Sequence, residues 1–319
     1  MRRRPRTRGF ALMSALWLMV ALSTLALELS VIARHRRLAV ANTLESVRAE
    51  RAAASGIEHE RARLTQVLVR GTKDGSPSDG ASVIDPWRDV DTATRDTVTM
   101  DGGVCYTVAS ADVGTMVNIN VVDEAGLERF LSASLIDPIT ADAMSQAILD
   151  WRDADDFRRL RGAERDEYIK SGARELPSNG PFESVDELRF VRGMTPPILR
   201  TIASRLTVFG TGYINANKAS EPVLLSVPGM TALGAAVITG AQRERRRIET
   251  LRQLMDMLPL PARTALEQNP MGIARLTFET RELEVRSLGW VKGSPIRVTE
   301  TAILTRIGTT PVVVWRRTE

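Results

Sequence analysis

The sequence predicts an α+β protein. It has one long N-terminal helix, an antiparallel sheet for that helix to cover, and a large all-α insertion between strands of the sheet. Three observations carry this. An apolar run from Phe10 to Ala33 passes without a break into a helical pattern reaching Arg70. From Arg275 onward the spacing turns strand-like, and it is matched far upstream by Val104-Cys-Tyr-Thr-Val108. Between these lies a long stretch in which helical spacing dominates.

The N-terminal helix is the most constrained element. Up to Leu27 its apolar run is interrupted by Ser14, Ser23 and Thr24 alone, and counting on past Glu28 to Ala33 supplies the ~20 residues needed to cross ~30 Å of hydrocarbon. Five arginines precede it within the first nine residues, which places that end in the cytoplasm. The run is too long for an ordinary secretory signal, and no Ala-x-Ala site closes it. From Arg34 to Arg70 an apolar stripe of Leu38, Ala41, Leu44, Val47, Ala54, Ile57, Leu64, Val67 and Leu68 recurs at three- and four-residue steps, with Arg and Glu opposite. No proline falls between Pro5 and Pro77, so the two parts read as one helix, half in lipid and half on a globular domain.

Composition is globular, at 43% hydrophobic and 26% charged residues. The formal charge of +4 with a pI near 9.6 suggests nucleic acid until the charges are located. The five leading arginines exceed the whole surplus, so from Phe10 on the net charge is −1. The basic balance is a topology signal. One cysteine, Cys105, excludes an intramolecular disulfide; it sits in a strand-like run and reads as a buried thiol.

Gly71 to Gly80 is loop chemistry. The helical stretch from Met116 to Leu258 contains internal echoes. Asn118-Ile-Asn120 and Asn215-Ala-Asn217 each precede a short helix and read as turn and N-cap. Gly193-Met-Thr195 and Gly229-Met-Thr231 each stand between helix-like runs. These read as helical modules in tandem, joined by an acidic segment. Toward the end, strands are expected at Leu276 to Arg281 continuing into Leu283 to Trp290, at Ile296 to Thr305 and at Val312 to Trp315.

Two motifs bear on chemistry. Asp150-Trp-Arg-Asp-Ala-Asp-Asp156, followed by Gly162-Ala-Glu164, clusters carboxylates. No histidine lies near them and no second constellation places a nucleophile, so an enzyme is not indicated. The close spacing of Asp153, Asp155 and Asp156 with Glu164 offers hard oxygen ligands suited to Ca²⁺, and a capped, solvated loop is the equal alternative. Leu225-Ser-Val-Pro-Gly-Met230 resembles a helix-hairpin-helix turn, which offers N–H groups to a DNA phosphate. Arg243, Arg245, Arg246 and Arg247 follow, but Glu244 and Glu249 interleave and no aromatic platform accompanies them.

The order of these features resembles one family. A basic leader ending in Gly9, then Phe10 and an apolar helix, is similar to the prepilin leader of type IV pilins and type II secretion pseudopilins. Most of that family carries Glu at the fifth residue after the cut; here Ser14 stands there, as in the minor pseudopilin K branch. Val117-Asn-Ile-Asn120, Ile148-Leu-Asp-Trp-Arg-Asp153, Pro181-Phe-Glu-Ser-Val-Asp-Glu-Leu188, Ile214-Asn-Ala-Asn217 and Val227-Pro-Gly-Met230 extend the likeness along the chain.

The resemblance implies a pilin fold with an insertion of sterile-alpha-motif-like (SAM-like) modules. It implies a leader at 1–9, a transmembrane helix at 10–33 and an amphipathic helix with first strands at 34–110. The insertion falls at 111–270, in modules of about 111–207 and 208–270, and closing strands at 271–319. It implies cleavage between Gly9 and Phe10 by prepilin peptidase, methylation of Phe10, and a single-pass inner-membrane protein with its C-terminal domain in the periplasm. Expected partners are minor pseudopilins I and J in a tip complex, other pseudopilins and the inner-membrane assembly platform. Calcium carries over onto Asp153, Asp155, Asp156 and Glu164. The runner-up is a membrane-tethered helix-hairpin-helix DNA-binding protein of a competence-type uptake system.

Overall fold

The computed structural model describes residues 8–73, Trp87, 96–308 and 310–319. The expected leader at 1–9 therefore lies mostly outside the described residues, as does the Gly71–Gly80 loop beyond Lys73.

Helix α1 runs from Arg8 to Lys73, 66 residues or about 100 Å. Residues 13–44 are exposed throughout, including Trp17, Leu18 and Met19, and the helix is long and apolar enough there to cross a membrane. Burial starts at residue 45. The expected stripe docks only in its second half: Ile57, Leu64 and Leu68 are buried, while Leu38, Leu44 and Val47 stay exposed. Docking uses small residues first, Ala49, Ala52, Ala53 and Gly56, then Ile57, Leu64 and Leu68. Small side chains let the backbone approach the sheet, and the larger ones further along contribute roughly 1.5–3 kcal/mol each by burial.

The sheet is antiparallel, with β1 (Val98–Thr99) and β2 (Val104–Asp112) on one side of β7 (Glu282–Val291), and β8 (Arg297–Ile307) and β9 (Thr310–Thr318) on the other. Strand β2 pairs directly with β7, Val104 opposite Val291 and Asp112 opposite Leu283. Alternation puts Tyr106, Val108, Leu283, Val285, Ala302 and Leu304 on the face covered by α1. Trp87 is fully buried in the same core. At the crossing a Cβ on Gly289 would stand 2.2 Å from the Ala49 carbonyl oxygen and 2.5 Å from the Ala53 nitrogen. Polar pins flank the contact: Tyr106 Oη lies 2.8 Å from His59 Nδ1, and Ser110 Oγ donates to the buried Glu60 at 2.9 Å.

Between β2 and β7 the chain forms β3 (Val117–Asn118), α2 (Glu124–Ala133), α3 (Pro138–Arg152), α4 (Arg165–Lys170), α5 (Pro196–Ile202) and β4 (Leu206–Thr207). It continues as β5 (Ile214–Asn215), α6 (Glu221–Leu225), α7 (Ala232–Arg243), α8 (Leu251–Met257), α9 (Leu260–Glu267), α10 (Pro270–Arg275) and β6 (Leu276–Thr277). The expected strand from Leu276 into Trp290 is therefore two strands: β6 belongs to this block and β7 to the sheet.

The block contains a geometric repeat. Strand β3 pairs with β4 in parallel, and β5 pairs with β6 in the same way. Ile119 N donates to Thr207 O, and Ala216 N to Thr277 O, both at 2.9 Å. Asn120 Oδ1 accepts from Phe182 N, and Asn217 Oδ1 from Ile248 N, both at 2.8 Å. Asn120 and Asn217 also donate to the carbonyls of Val208 and Phe278, just past the two closing strands. The asparagines are thus turn-formers and clasps rather than the expected N-caps; Asp123 caps α2 by accepting from Gly126 N at 2.7 Å. The Gly-Met-Thr echo falls at non-equivalent places, since Thr195 leads α5 while Thr231 leads α7. The acidic segment lies inside the first clasp rather than joining the two.

The crossing at Gly289 yields a direct expectation. Gly289→Ala forces α1 off the sheet and destabilises the globular part by roughly 1–3 kcal/mol, read as a lowered midpoint of thermal unfolding. Gly56→Ala meets the rotatable Ser287 Oγ first, at 2.1 Å, and costs less.

Candidate metal centre

Helix α3 ends at Arg152, whose guanidinium donates to the carbonyls of Ile119 and Val122 and so ties the helix end to the β3 turn. Trp151 stacks on Phe182 with ring centroids 6.4 Å apart and meets Tyr168 edge-on at 5.3 Å. This apolar floor leaves the last turn of α3 facing a loop, residues 153–164, that returns to α4. In the second half of the repeat the corresponding link between α7 and Ile248 is four residues. The first half spends its extra chain on carboxylates.

Arg159 organises the loop. Its Nη1 donates to the fully buried Asp150 Oδ1 at 2.6 Å and also bonds Asp153 Oδ2. Its Nε lies 3.7 Å from Glu124. Asp155 Oδ1 accepts from Phe157 N at 2.8 Å, closing a tight turn. Arg161 N donates to Gln146 Oε1 at 2.8 Å and fixes the far end. Gly162 is required by close approach, for a Cβ there would lie 1.9 Å from Asp150 Oδ2.

Of the four residues expected to bind metal, the fold brings three together. One carboxylate oxygen each from Asp153, Asp155 and Glu164 lies within 4.8 Å of the others. Asp156 turns aside, its Oδ1 accepting from Asn179 Nδ2 at 3.0 Å. Oxygens bound to one Ca²⁺ at 2.3–2.6 Å are up to about 5 Å apart, so the spacing fits. The donor chemistry fits as well. Glu164 is 3% exposed, and neither its carboxylate oxygens nor Asp153 Oδ1 has a hydrogen-bond partner among the described residues. Buried carboxylate oxygens left unpaired are costly, and a cation offsets that cost. Burial first, then the neighbouring Asp150, Asp153, Asp156 and Asp155 charges, push the Glu164 carboxyl up to about 7. Asp150 is raised by burial despite its bonds to Arg159. Sequence reasoning named neither Asp150 nor Arg159 as part of this centre; the signal was the i,i+3 pair of Asp150 and Asp153 at the helix end.

The other motif is used for packing. The turn between α6 and α7 is covered by α9 and α10: a Cβ on Gly229 would meet Ala265 O at 2.7 Å, and one on Gly272 would meet Pro228 O at 1.8 Å. Arg247 donates to the Phe278 carbonyl, and Arg246 lies 3.6 Å from Glu244. This turn does not present its backbone to a phosphate.

A long N-terminal helix laid on an antiparallel sheet, with a helical block between two neighbouring strands, defines a pilin-like protein. The fold is shared with a chain in the crystal structure of the GspK-GspI-GspJ complex from the enterotoxigenic Escherichia coli type 2 secretion system. That chain is 16% identical, with a TM-score of 0.60, and the likeness covers 86% of this chain and 99% of that one. Residues 109–211, from the end of β2 through the first clasp, match the family described as Type II secretion system (T2SS), protein K. That match covers about a third of the chain and agrees with the family its motifs resemble. Comparison with curated protein sequences returns no match.

In the metal-free protein the Glu164 shift sets a pH dependence. A carboxyl near 7 when folded and near 4.5 when unfolded binds more proton in the folded state between those values. Its contribution is therefore fully present below about 4.5 and is lost as pH rises through 7. Thermal unfolding in chelator is expected to show stability falling over that window by on the order of 3 kcal/mol, with Asp150 adding in the same direction. Glu164→Gln flattens the slope.

Proposed function

We propose that this protein is a minor pseudopilin of a type II secretion system that caps or nucleates the pseudopilus tip, in support of export of folded periplasmic proteins across the outer membrane. The observation that carries this reading is the protein K match over residues 109–211, lying between sheet strands of a pilin-like chain. Before assembly the exposed half of α1 sits in the inner membrane with the globular part in the periplasm. During assembly it leaves lipid and packs among neighbouring helices. Ser14 carries no carboxylate, so this subunit does not offer the buried partner that a terminal ammonium above it would need. That suits a cap, and the bulk of the inserted SAM-like modules hinders stacking above. The related crystal structure is of a complex with GspI and GspJ, and pseudopilins I and J are the partners proposed here. The role is structural, with no catalytic residue assigned. The DNA-binding alternative is not favoured, given the covered α6–α7 turn.

Calcium is part of the proposal. Asp153, Asp155 and Glu164 would hold the ion, with Asp150 and Arg159 orienting Asp153. Bound Ca²⁺ neutralises the buried Glu164 carboxylate and fixes the loop between α3 and α4.

Two measurements test these readings. Expressed with its peptidase and pseudopilins I and J, the chain should begin at Phe10 by mass spectrometry and co-purify with both. An intact Gly9–Phe10 bond, or no retention, defeats the pseudopilin reading. For the metal, calcium should raise the unfolding temperature of the wild-type chain and leave Asp153→Asn/Glu164→Gln unmoved. An unchanged wild-type midpoint in chelator removes the ion from the account.

A further inference from the structure

Strand β9 is an edge of the sheet, and among the described residues nothing pairs with its outer side. Such an edge is a template for a further strand. The end of β9 shows which backbone groups are free. Thr299 N donates to Glu319 O and Glu319 N donates back to Thr299 O, so these two form a hydrogen-bonded pair. Arg317 opposite Thr301 is the next such pair, and the N–H and C=O groups of Arg316 and Thr318 turn away from β8.

The same end of β9 borders a groove. Val313, opposite Leu304, packs on the α1 side, whereas Trp315 meets Phe209 of the helical block with ring centroids 4.1 Å apart. Trp315 and Arg317 therefore lie on the face away from α1. There they line a groove of about 570 Å³ between the sheet and the first clasp. Two arginines and four carboxylates also face it, an excess of two negative charges. Both arginines are already paired, Arg286 with Glu284 and Arg317 with Glu319. Glu183 and Asp186 remain, exposed and without a cation partner among the described residues.

We propose that the outer edge of β9 and this groove form a docking surface for an extended basic segment of another polypeptide, which adds to the sheet as a sixth strand. Main-chain bonds to Arg316 and Thr318 supply the pairing, and alternate side chains enter the groove. A Lys or Arg stem there lies along Trp315 and Phe209, and its charge meets Glu183 and Asp186. A second copy of this chain is the poorer occupant, because two such edges paired through Arg316 to Thr318 set arginine against arginine. The surface needs neither the ion nor the membrane span.

The test uses the full chain in detergent micelles and a blocked heptapeptide of alternating valine and lysine. The peptide should bind saturably with a Kd below about 1 mM. At ten times that Kd, amide exchange at Arg316 and Thr318 should slow by about tenfold. The same peptide with glutamate for lysine should not bind. Glu183→Gln/Asp186→Asn should weaken the lysine peptide by about threefold to tenfold and reduce its salt dependence, with circular dichroism unchanged. A lysine peptide N-methylated along its pairing edge cannot donate to β9, and equal binding by it overturns strand addition. So does binding that leaves exchange at Arg316 and Thr318 unchanged. Equal affinity for the lysine and glutamate peptides, or unaltered affinity in the double variant, overturns the basic occupant. Absence of saturable binding, or a dimer through β9 that the peptide does not displace, overturns the whole proposal.

Discussion

The contact between α1 and the sheet is made nearly backbone to backbone, and the rest of the structure depends on it. Ala49, Ala52, Ala53 and Gly56 face Gly289, Ser287 and Tyr106 with almost no side chain between them. Such a contact gains little from hydrophobic area. It gains from close dispersion packing and from the alignment it allows further along, where Ile57, Leu64 and Leu68 bury against Val285, Ala302 and Leu304. The constraint follows from the length of the helix. A rod of about 100 Å that is bare over its first half must be gripped firmly over its second, or its leverage would peel it away.

The helical block shows how a duplicated clasp acquires chemistry. Both halves close with a parallel pair of strands and an asparagine that bonds the loop returning behind it. In the second half that loop is four residues and carries no candidate site. In the first it is long enough to hold α4 and seven acidic residues, among them Asp153, Asp155 and Glu164. The scaffold that fixes Asp150 and Trp151 is the same helix end that Arg152 ties to β3. The candidate centre is thus held by backbone contacts belonging to the repeat and furnished by residues that do not.

Much of this was legible beforehand, for identifiable reasons. The long helix, the late strands and the helical stretch between them follow from period and from glycine and proline, which are local signals. The acidic cluster was legible as composition, but its membership was not. Asp156 is as close in sequence as Asp155, yet a turn closed by Phe157 N sends it toward Asn179. The Gly-Met-Thr echo read as a repeat although its copies lie at different places, whereas the true repeat is carried by hydrogen bonds that no periodicity displays. The first half of the stripe on α1 misled for another reason: an apolar residue facing lipid or a neighbouring subunit has the same spacing as one facing a sheet.

Asp112 joins these parts, and it bears on the order of events as the chain folds. It ends β2, and its Oδ2 accepts from Asn215 Nδ2 at 2.8 Å and Thr280 Oγ1 at 2.7 Å, while its Oδ1 accepts from Gly114 N at 2.9 Å. Thr280 stands just before β7, so one carboxylate holds both ends of the helical block. Strand β2 cannot find its partner until some 170 residues later, a pairing whose loop-closure entropy makes it slow and leaves an open strand edge. The clasped modules close over shorter distances. Formed first, they would bring the ends of β2 and β7 within reach of each other, and the sheet would zip from Asp112 outward, with α1 settling last.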